Sequence, residues 1–399
     1  MNKFKAKQIS DKVYWVGAID WDIRDFHGYG TPRGSTYNAF LILADKITLI
    51  DTVKAPFEDE LMARIKSIID PAKIDYIVSN HSEPDHTGSL KNVISRVKPK
   101  SVFASKMGKK TLKSLYNLEV DSVENKSALD LGNMTLKFLE TRMIHWPDSM
   151  FSYLEEEKIL FSQDAFGMHL ASSERFADQL NRDLLRYESD KYYANIVLPF
   201  SNMVKRTLDQ VGKMNLEIDM LCPDHGPIWR KNDIPIILEW YSEYVEQKPF
   251  NKAVIVYDTM WGSTEKMARS IADGIIEAGS KAIVLRCRST DRSIVIKELL
   301  YSGALIIGSP TINNNIFPSL ADVLTYIKGL KPQNLIGAAF GSFGWSGESV
   351  GILENYLRDM KIEPAIEGIK LNYIPGEKDL DQCRKFGVEI ASKMKEILV

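Results

Sequence analysis

His81-Ser82-Glu83-Pro84-Asp85-His86 places two imidazoles and two carboxylates within six residues, in a chain of 399 residues with only six histidines. The cluster follows the apolar run Ile74-Asp75-Tyr76-Ile77-Val78 after Ser79-Asn80, where a strand would give way to a loop. Imidazole and carboxylate donors without sulfur suit divalent first-row metals. Alone, the cluster would also suit an ordinary polar loop. Three further donors favour the metal: His145 in Ile144-His145-Trp146-Pro147-Asp148, Asp164 after Leu160-Phe161-Ser162-Gln163, and His225 in Pro223-Asp224-His225-Gly226-Pro227. Each lies in a short polar or Gly/Pro context beside an apolar stretch, and loops at a sheet edge can converge on one site. The expected chemistry is that of a two-metal centre.

An H-x-[HE]-x-D-H cluster followed by distant His, Asp and His resembles the metallo-β-lactamase superfamily over about residues 1–250. Zinc hydrolases of that superfamily usually carry a histidine where this chain has Glu83. Glu83, Asp85 and a bridging Asp164 would supply three negative charges against two ferrous ions. A carboxylate-rich site of this kind favours non-haem iron and redox chemistry, although manganese or zinc suits the same donors under a different metal supply. Similarity to the flavodiiron branch implies His81, Glu83 and His145 on one iron, Asp85, His86 and His225 on the other, and Asp164 between them.

The second half reads as an electron relay. Ala253-Val254-Ile255-Val256-Tyr257 is a short β-branched run, as expected of a strand buried in a parallel sheet. It leads through Asp258-Thr259-Met260-Trp261-Gly262-Ser263-Thr264 into a segment with apolar residues at Met267, Ala268, Ile271, Ala272, Ile275 and Ile276. A hydroxyl-rich loop entering an amphipathic helix offers backbone amides and the Thr259, Ser263 and Thr264 hydroxyls to a phosphate at the helix N-terminus. A Ser/Thr-rich turn is otherwise only a helix cap. Two later strand-to-loop segments, Ala304–Asn315 and Leu335–Gly347, complete the pattern. Together they resemble the flavodoxin fold over about residues 252–399, with Trp261 where the usual phosphate loop carries a hydroxyl.

That resemblance implies an FMN site at the carboxyl ends of parallel strands. Its contacts would be Thr259, Met260, Trp261, Gly262, Ser263 and Thr264, then Pro310, Thr311, Ile312, Asn313 and Asn314, then Ser342, Phe343, Gly344, Trp345, Ser346 and Gly347. Trp261 and Trp345 are read as flavin neighbours because they adjoin these loops; core or interface packing is the plainer alternative.

The order of the two modules resembles the flavodiiron proteins, also called A-type flavoproteins, as do Tyr37-Asn38-Ala39, His145-Trp146-Pro147-Asp148-Ser149-Met150 and Ser309-Pro310-Thr311. The family implies an α/β chain: an αββα sandwich at 1–250, then a doubly wound parallel sheet at 251–399. It implies two non-haem irons and one FMN per chain, and reduction of nitric oxide to nitrous oxide or of dioxygen to water. It also implies a head-to-tail homodimer, or a dimer of such dimers, bringing the flavin of one subunit to the diiron site of another. No rubredoxin module is present in the sequence, so electrons are expected from a separate carrier, rubredoxin or a reduced coenzyme F420. The rival is a zinc hydrolase of the lactamase or glyoxalase II type with an accessory flavodoxin-like domain; a third reading is a gas-sensing or electron-transfer module with a non-catalytic diiron site.

Other residues carry paired readings. His27, in Phe26-His27-Gly28-Tyr29-Gly30, either reaches over the metals as a donor or pocket gate, or is a plain loop histidine. Tyr193, in Lys191-Tyr192-Tyr193-Ala194-Asn195, either donates to metal-bound gas or is a buried helix tyrosine. His169 is expected to order the metal surroundings without ligating. Cys222, Cys287 and Cys383 are too scattered for a disulfide framework or a C-x-x-C site.

Composition agrees with this reading. A net charge of -2 offers no basic surface for nucleic acid, and 44% hydrophobic residues suffice for ordinary cores. No apolar run approaches the roughly 18 residues of a membrane span, and Met1-Asn2-Lys3-Phe4-Lys5-Ala6-Lys7-Gln8 lacks an apolar signal core. A cytoplasmic protein without membrane or nucleic-acid partners is expected. Strands are expected at 13–16, 39–43, 47–50, 76–78, 101–104 and 136–139, with helices at 57–69 and about 235–245 and a linker at 246–251.

Overall fold

Side-chain alternation along the first strands sorts one layer from another. Phe40 and Ile42 enter one buried cluster with Ile50 and Val78, whereas Leu41, Leu49 and Ile77 enter a second. Successive strand residues point to opposite faces, so these strands must be covered on both sides. The structure, a computed structural model, describes residues 4–398. Met1, Asn2 and Lys3 of the signal-core reading and Val399 at the end of the second domain lie outside them.

The described chain forms two units. The first comprises the chain through Phe26, Thr31–Tyr192 and Phe200–Ser242; the second comprises His27–Gly30, Tyr193–Pro199 and the chain from Glu243 onward. The expected boundary at 250/251 is displaced into the last turn of the helix Ile234–Glu246. Tyr244, on that turn, packs its ring on Tyr193 and Tyr301 at 4.7 and 6.3 Å, which ties it to the second unit.

In the first unit, a seven-stranded and a six-stranded sheet enclose a shared core. Strands Val13–Trp15, Phe40–Ile42 and Thr48–Ile50 of the first sheet meet Thr135–Glu140, Met150–Leu154 and Ile159–Gln163 of the second through Trp15, Phe40, Phe138, Leu154 and Phe161. Phe40 and Phe161 lie 5.1 Å apart between ring centres. Helices Glu58–Lys66, Leu90–Val97 and Lys106–Tyr116 bury Leu61, Ile65, Val93 and Leu112 on the other face of the first sheet. This is the αββα arrangement expected, and it brings strand ends from both sheets to one edge.

The second unit is a five-stranded parallel sheet in the order Lys281–Arg286, Lys252–Tyr257, Ala304–Gly308, Ile336–Phe343, Ile369–Asn372. Val254, Ile255 and Val256 are fully buried, as helices on both faces of such a sheet require. The order reverses beside Lys252–Tyr257, and a ligand crevice is expected outside the carboxyl ends of the strands there. Among the described residues, no helix is long and apolar enough to cross a membrane.

Helices Ser263–Glu277 and Glu377–Glu396 pack unusually close. A Cβ at Gly387 would lie 2.1 Å from the Ile271 carbonyl oxygen, and one at Gly274 would lie 1.9 Å from that of Arg384. Replacing a helical glycine by alanine normally stabilises by about 1 kcal/mol. Here the clash reverses the sign. Gly387→Ala should destabilise by roughly 1–3 kcal/mol, whereas Gly351→Ala, with nothing within 4 Å of the new methyl, should stabilise by about 0.5–1 kcal/mol. Unfolding midpoints of the two variants should move in opposite directions.

Candidate diiron centre and flavin cavity

Strand Tyr76–Ser79 delivers the first ligand cluster. Pro84 opens the short helix Pro84–Thr87, and Glu83 before it is extended (φ −63°, ψ 144°), as a residue preceding proline tends to be. The chain therefore turns between Glu83 and the pair Asp85 and His86. His145 comes from the loop between Thr135–Glu140 and Met150–Leu154, Asp164 directly follows Ile159–Gln163, and His225 follows Met220–Pro223.

The seven side chains gather into two groups whose donor atoms lie within 4.8 Å of one another: His81, Glu83, His145 and Asp164 in one, Asp85, His86 and His225 in the other. Asp164 faces both. Its Oδ2 lies 3.3 Å from His81 Nε2 and 3.0 Å from His145 Nε2, while its Oδ1 lies 3.2 Å from His86 Nε2 and 3.4 Å from His225 Nε2. Glu83 Oε2 stands 3.2 and 3.1 Å from His81 and His145, and Asp85 Oδ2 stands 3.3 and 3.1 Å from His86 and His225. Both Asp85 carboxylate oxygens, His86 Nε2 and Asp164 Oδ1 are buried without a hydrogen-bond partner among the described residues. Unsatisfied buried groups are costly, and two cations between the groups would satisfy them. The donor set therefore fits a pair of metal ions.

Two of the remaining imidazole nitrogens, on His81 and His225, are held from behind, which fixes ring orientation. Asp148 Oδ2 lies 3.2 Å from His81 Nδ1 and accepts from the Ser82 amide at 2.6 Å. The Thr36 carbonyl lies 2.6 Å from His225 Nδ1, and Asp224 Oδ2 lies 3.4 Å from His86 Nδ1. Asn38 clamps the His225 turn by donating to the carbonyls of Pro223 and Gly226 at 2.7 and 2.9 Å. His169 is buried among Phe26, Tyr192 and His225, with Ser35 Oγ 2.8 Å from its Nδ1; burial and the neighbouring His225 push its pKa well down.

Carboxylates dominate the electrostatics of the metal-free cluster. Burial opposes charging of His81, but hydrogen bonds to Asp148, Asp164 and Glu83 carry its pKa well up. His86 behaves likewise, with Asp85, Asp164 and Asp224 overcoming burial. Asp164 and Glu83 push His145 up to about 9 against the same opposition. Burial also disfavours the Asp164 carboxylate, yet His86, His145 and His81 hold it well below the usual range.

His27 and Tyr193 fall in the second unit. His27 has a left-handed backbone at φ 57°, and Tyr193 is fully buried in the π-helical segment Tyr193–Val197 with its ring on Tyr244. The first unit brings two other tyrosines to the metal ligands: Tyr37, 5.9 Å from His225 between ring centres, and Tyr192, 6.2 Å from His225 and 5.2 Å from His169. The only sequence signal for Tyr192 is its place beside Tyr193. Burial pushes the Tyr192 phenol well up, keeping it protonated.

In the second unit a cavity of about 560 Å³ opens at the strand ends, within the range of ligand sites. Of the expected flavin contacts, Thr259, Met260, Trp261, Ser263, Pro310, Thr311, Asn313, Asn314, Ser342, Phe343, Gly344, Trp345 and Ser346 line it. Gly262, Thr264, Ile312 and Gly347 do not. Thr264 is buried with its hydroxyl 2.9 Å from Ser342 Oγ, and Gly262, at φ 86°, donates its amide to Thr259 Oγ1. Ile312 pairs with Asn315 around a turn whose two left-handed residues are Asn313 and Asn314, and Gly347 backs onto the Phe343 ring just before a helix. These four shape the wall from behind. Tyr373 and Ile374 line the cavity in addition; their sequence signal was a fourth strand end in the same parallel sheet. The hydroxyls at the N-terminus of Ser263–Glu277 and the apolar rim fit a phosphate and a flat ring.

Family comparisons match the ODP family beta lactamase at residues 36–226 and Flavodoxin at 255–387. The chain is 44% identical over 394 residues to the nitric oxide reductase of Moorella thermoacetica, covering 97% of this chain and 98% of that protein. It is 44% identical over 396 residues to the rubredoxin-oxygen oxidoreductase of Megalodesulfovibrio gigas, covering 98% of each. The crystal structure of the flavodiiron protein from Giardia intestinalis superposes with a TM-score of 0.95 at 34% identity, covering 99% of this chain and 98% of that one.

Two predictions follow from the centre itself. Asp148→Ala should weaken metal binding roughly 10- to 100-fold with FMN retained, as read by chelator competition alongside flavin absorbance. Metal uptake by the stripped protein near neutral pH should release protons, because metal requires neutral imidazoles while His81, His86 and His145 are held protonated by their carboxylates. Affinity should therefore rise with pH towards about 9, where His145 gives up its proton unaided; titration calorimetry in buffers of different ionisation enthalpy measures the release.

Proposed function

The chain belongs to the flavodiiron proteins, and from that premise we propose that it reduces nitric oxide to nitrous oxide, dioxygen to water, or both. We place the two irons on His81, Glu83, His145 and Asp164 and on Asp85, His86, His225 and Asp164, and FMN in the cavity of the second unit. The observation that carries this reading is Asp164, one carboxylate whose two oxygens face two separate ligand groups.

Paired ferrous ions supply electrons and adjacent binding positions for a diatomic gas, with FMN as the source of replacement electrons. The chain's own contribution is placement and charge. Glu83, Asp85 and Asp164 offset most of the charge of two divalent ions, while Asp148 and the Thr36 carbonyl hold the His81 and His225 imidazoles in ligating orientation. His169, kept neutral by burial, adds no positive charge beside His225. Tyr192 keeps its Oη proton near the same ring, in a reaction that consumes protons. His27 remains proposed as a donor over the metals or a pocket gate, and Tyr193 as a donor to the gas.

The zinc-hydrolase alternative is not favoured: Glu83 occupies the position of the hydrolase histidine, and the reductase relatives align over both units. Rubredoxin, named in the Megalodesulfovibrio relative, is the proposed electron donor, with reduced coenzyme F420 as the alternative. A cytoplasmic head-to-tail homodimer, or a dimer of dimers, is proposed as the working assembly. Trp261 and Trp345, 93% and 90% exposed at the flavin cavity, support a covering partner.

Purified protein should contain two irons and one FMN per chain, and the anaerobically reduced form should reoxidise on addition of nitric oxide or dioxygen only when iron is present. Zinc with no redox response would return the chain to hydrolysis. Glu83→His should raise the zinc-to-iron ratio and lower gas turnover to the flavin-only background; retained iron with full turnover would remove Glu83 as the determinant.

A further inference from the structure

The turn after strand Ile369–Asn372 lies outside the three flavin-binding segments expected from the sequence, yet it lines the same cavity. Its construction is specific. Asn372 is in register with Phe343 on the neighbouring strand, and its side-chain amide donates to the carbonyls of Phe343, at 3.3 Å, and Gly344. The Tyr373 amide donates to the Phe343 carbonyl at 2.7 Å. Tyr373 itself has φ 56°, a left-handed conformation that is an outlier for a bulky residue. A Cβ at Gly344 would lie 3.4 Å from Tyr373 Cε1, so the aromatic ring lies along the backbone of the third flavin-binding segment.

A lone exposed apolar residue on a surface loop needs no explanation. Here Tyr373 and Ile374 are 62% and 73% exposed and adjacent, the turn is anchored to the neighbouring loop by two bonds from Asn372 and one from the Tyr373 amide, and both residues line a cavity whose other walls carry Trp261 and Trp345. An apolar pair fixed in this way suits a flat conjugated ring better than a phosphate or a sugar, which need donors. We infer that the Tyr373–Ile374 turn is a fourth flavin-binding segment, an apolar side wall that positions the isoalloxazine ring and limits its access to water. The inference rests on the FMN reading of this cavity.

The test is FMN affinity of the flavin-stripped full chain, measured by quenching of flavin fluorescence, beside the thermal midpoint of the same stripped protein. Tyr373→Gly removes the ring while relieving the left-handed strain, so the stripped chain should be at least as stable as wild type. Its dissociation constant for FMN should rise roughly three- to tenfold. Ile374→Ala should weaken FMN in the same direction, Tyr373→Phe should bind as wild type does, and iron content should not change. Wild-type affinity in both Tyr373→Gly and Ile374→Ala would overturn the inference, as would weakened binding matched by an equal loss of stability in the stripped protein. Failure of the wild-type chain to bind FMN would instead overturn the flavin reading, and this inference with it.

Discussion

The organising constraint is the burial of one carboxylate, Asp164, between two sets of imidazoles. It is almost fully removed from solvent, as are His81, Glu83, Asp85, His86 and His225 around it. Such a concentration of charge is expensive unless paired. Within the cluster the carboxylates drive the His81, His86 and His145 pKa values up and the histidines hold that of Asp164 down, so protons would supply the pairing wherever metal does not. Two divalent ions can replace those protons with stronger and better-placed positive charge. The same residues thus explain both why the site can be buried and why it takes metal.

Holding that cluster requires strand ends from both sheets of the sandwich. The parallel pairing of Ile159–Gln163 with Met220–Pro223 brings Asp164 and His225 side by side, and the Asp148 carboxylate ties the His145 loop to the His81 loop through the Ser82 amide. Asn38 spans the remaining gap: its side chain holds the His225 turn and accepts from Trp15 Nε1 at 2.8 Å. The metal geometry is therefore coupled to the core between the sheets, where Trp15 is buried.

The second unit solves a different problem with the same device. Its parallel strands all end on one side, and loops at successive ends turn hydroxyls, amides and aromatic rings toward one cavity. Close packing of Ser263–Glu277 against Glu377–Glu396 through Gly274 and Gly387 fixes the helix whose N-terminus enters that cavity. Exposed Trp261 and Trp345 in its lining leave apolar surface on the sheet domain, the kind of surface that function rather than folding retains.

The candidate metal ligands were legible in the sequence because each is a strong donor in a short polar interval beside an apolar strand, and their types survive any detail of packing. The two modules were legible for a similar reason: β-branched strands followed by hydroxyl- or Gly-rich turns have few alternatives. Pairing of the donors into two groups, with one Asp164 oxygen toward each, depends on where strands separated by many residues end in space. Thr36 acts on His225 through a backbone carbonyl, which every residue possesses and no sequence pattern marks. Tyr192 rather than its neighbour meets His225 within the first unit because adjacent helical side chains diverge by roughly 100°, and that phase is set by packing. Tyr373 joins the flavin cavity because its strand lies beside Ile336–Phe343 in the sheet, while Thr264 leaves the wall because Ser342 engages its hydroxyl. Local chemistry determined which residues could bind metal and flavin; tertiary structure decided which atoms face them, since strand order and side-chain direction are properties of the packed sheets.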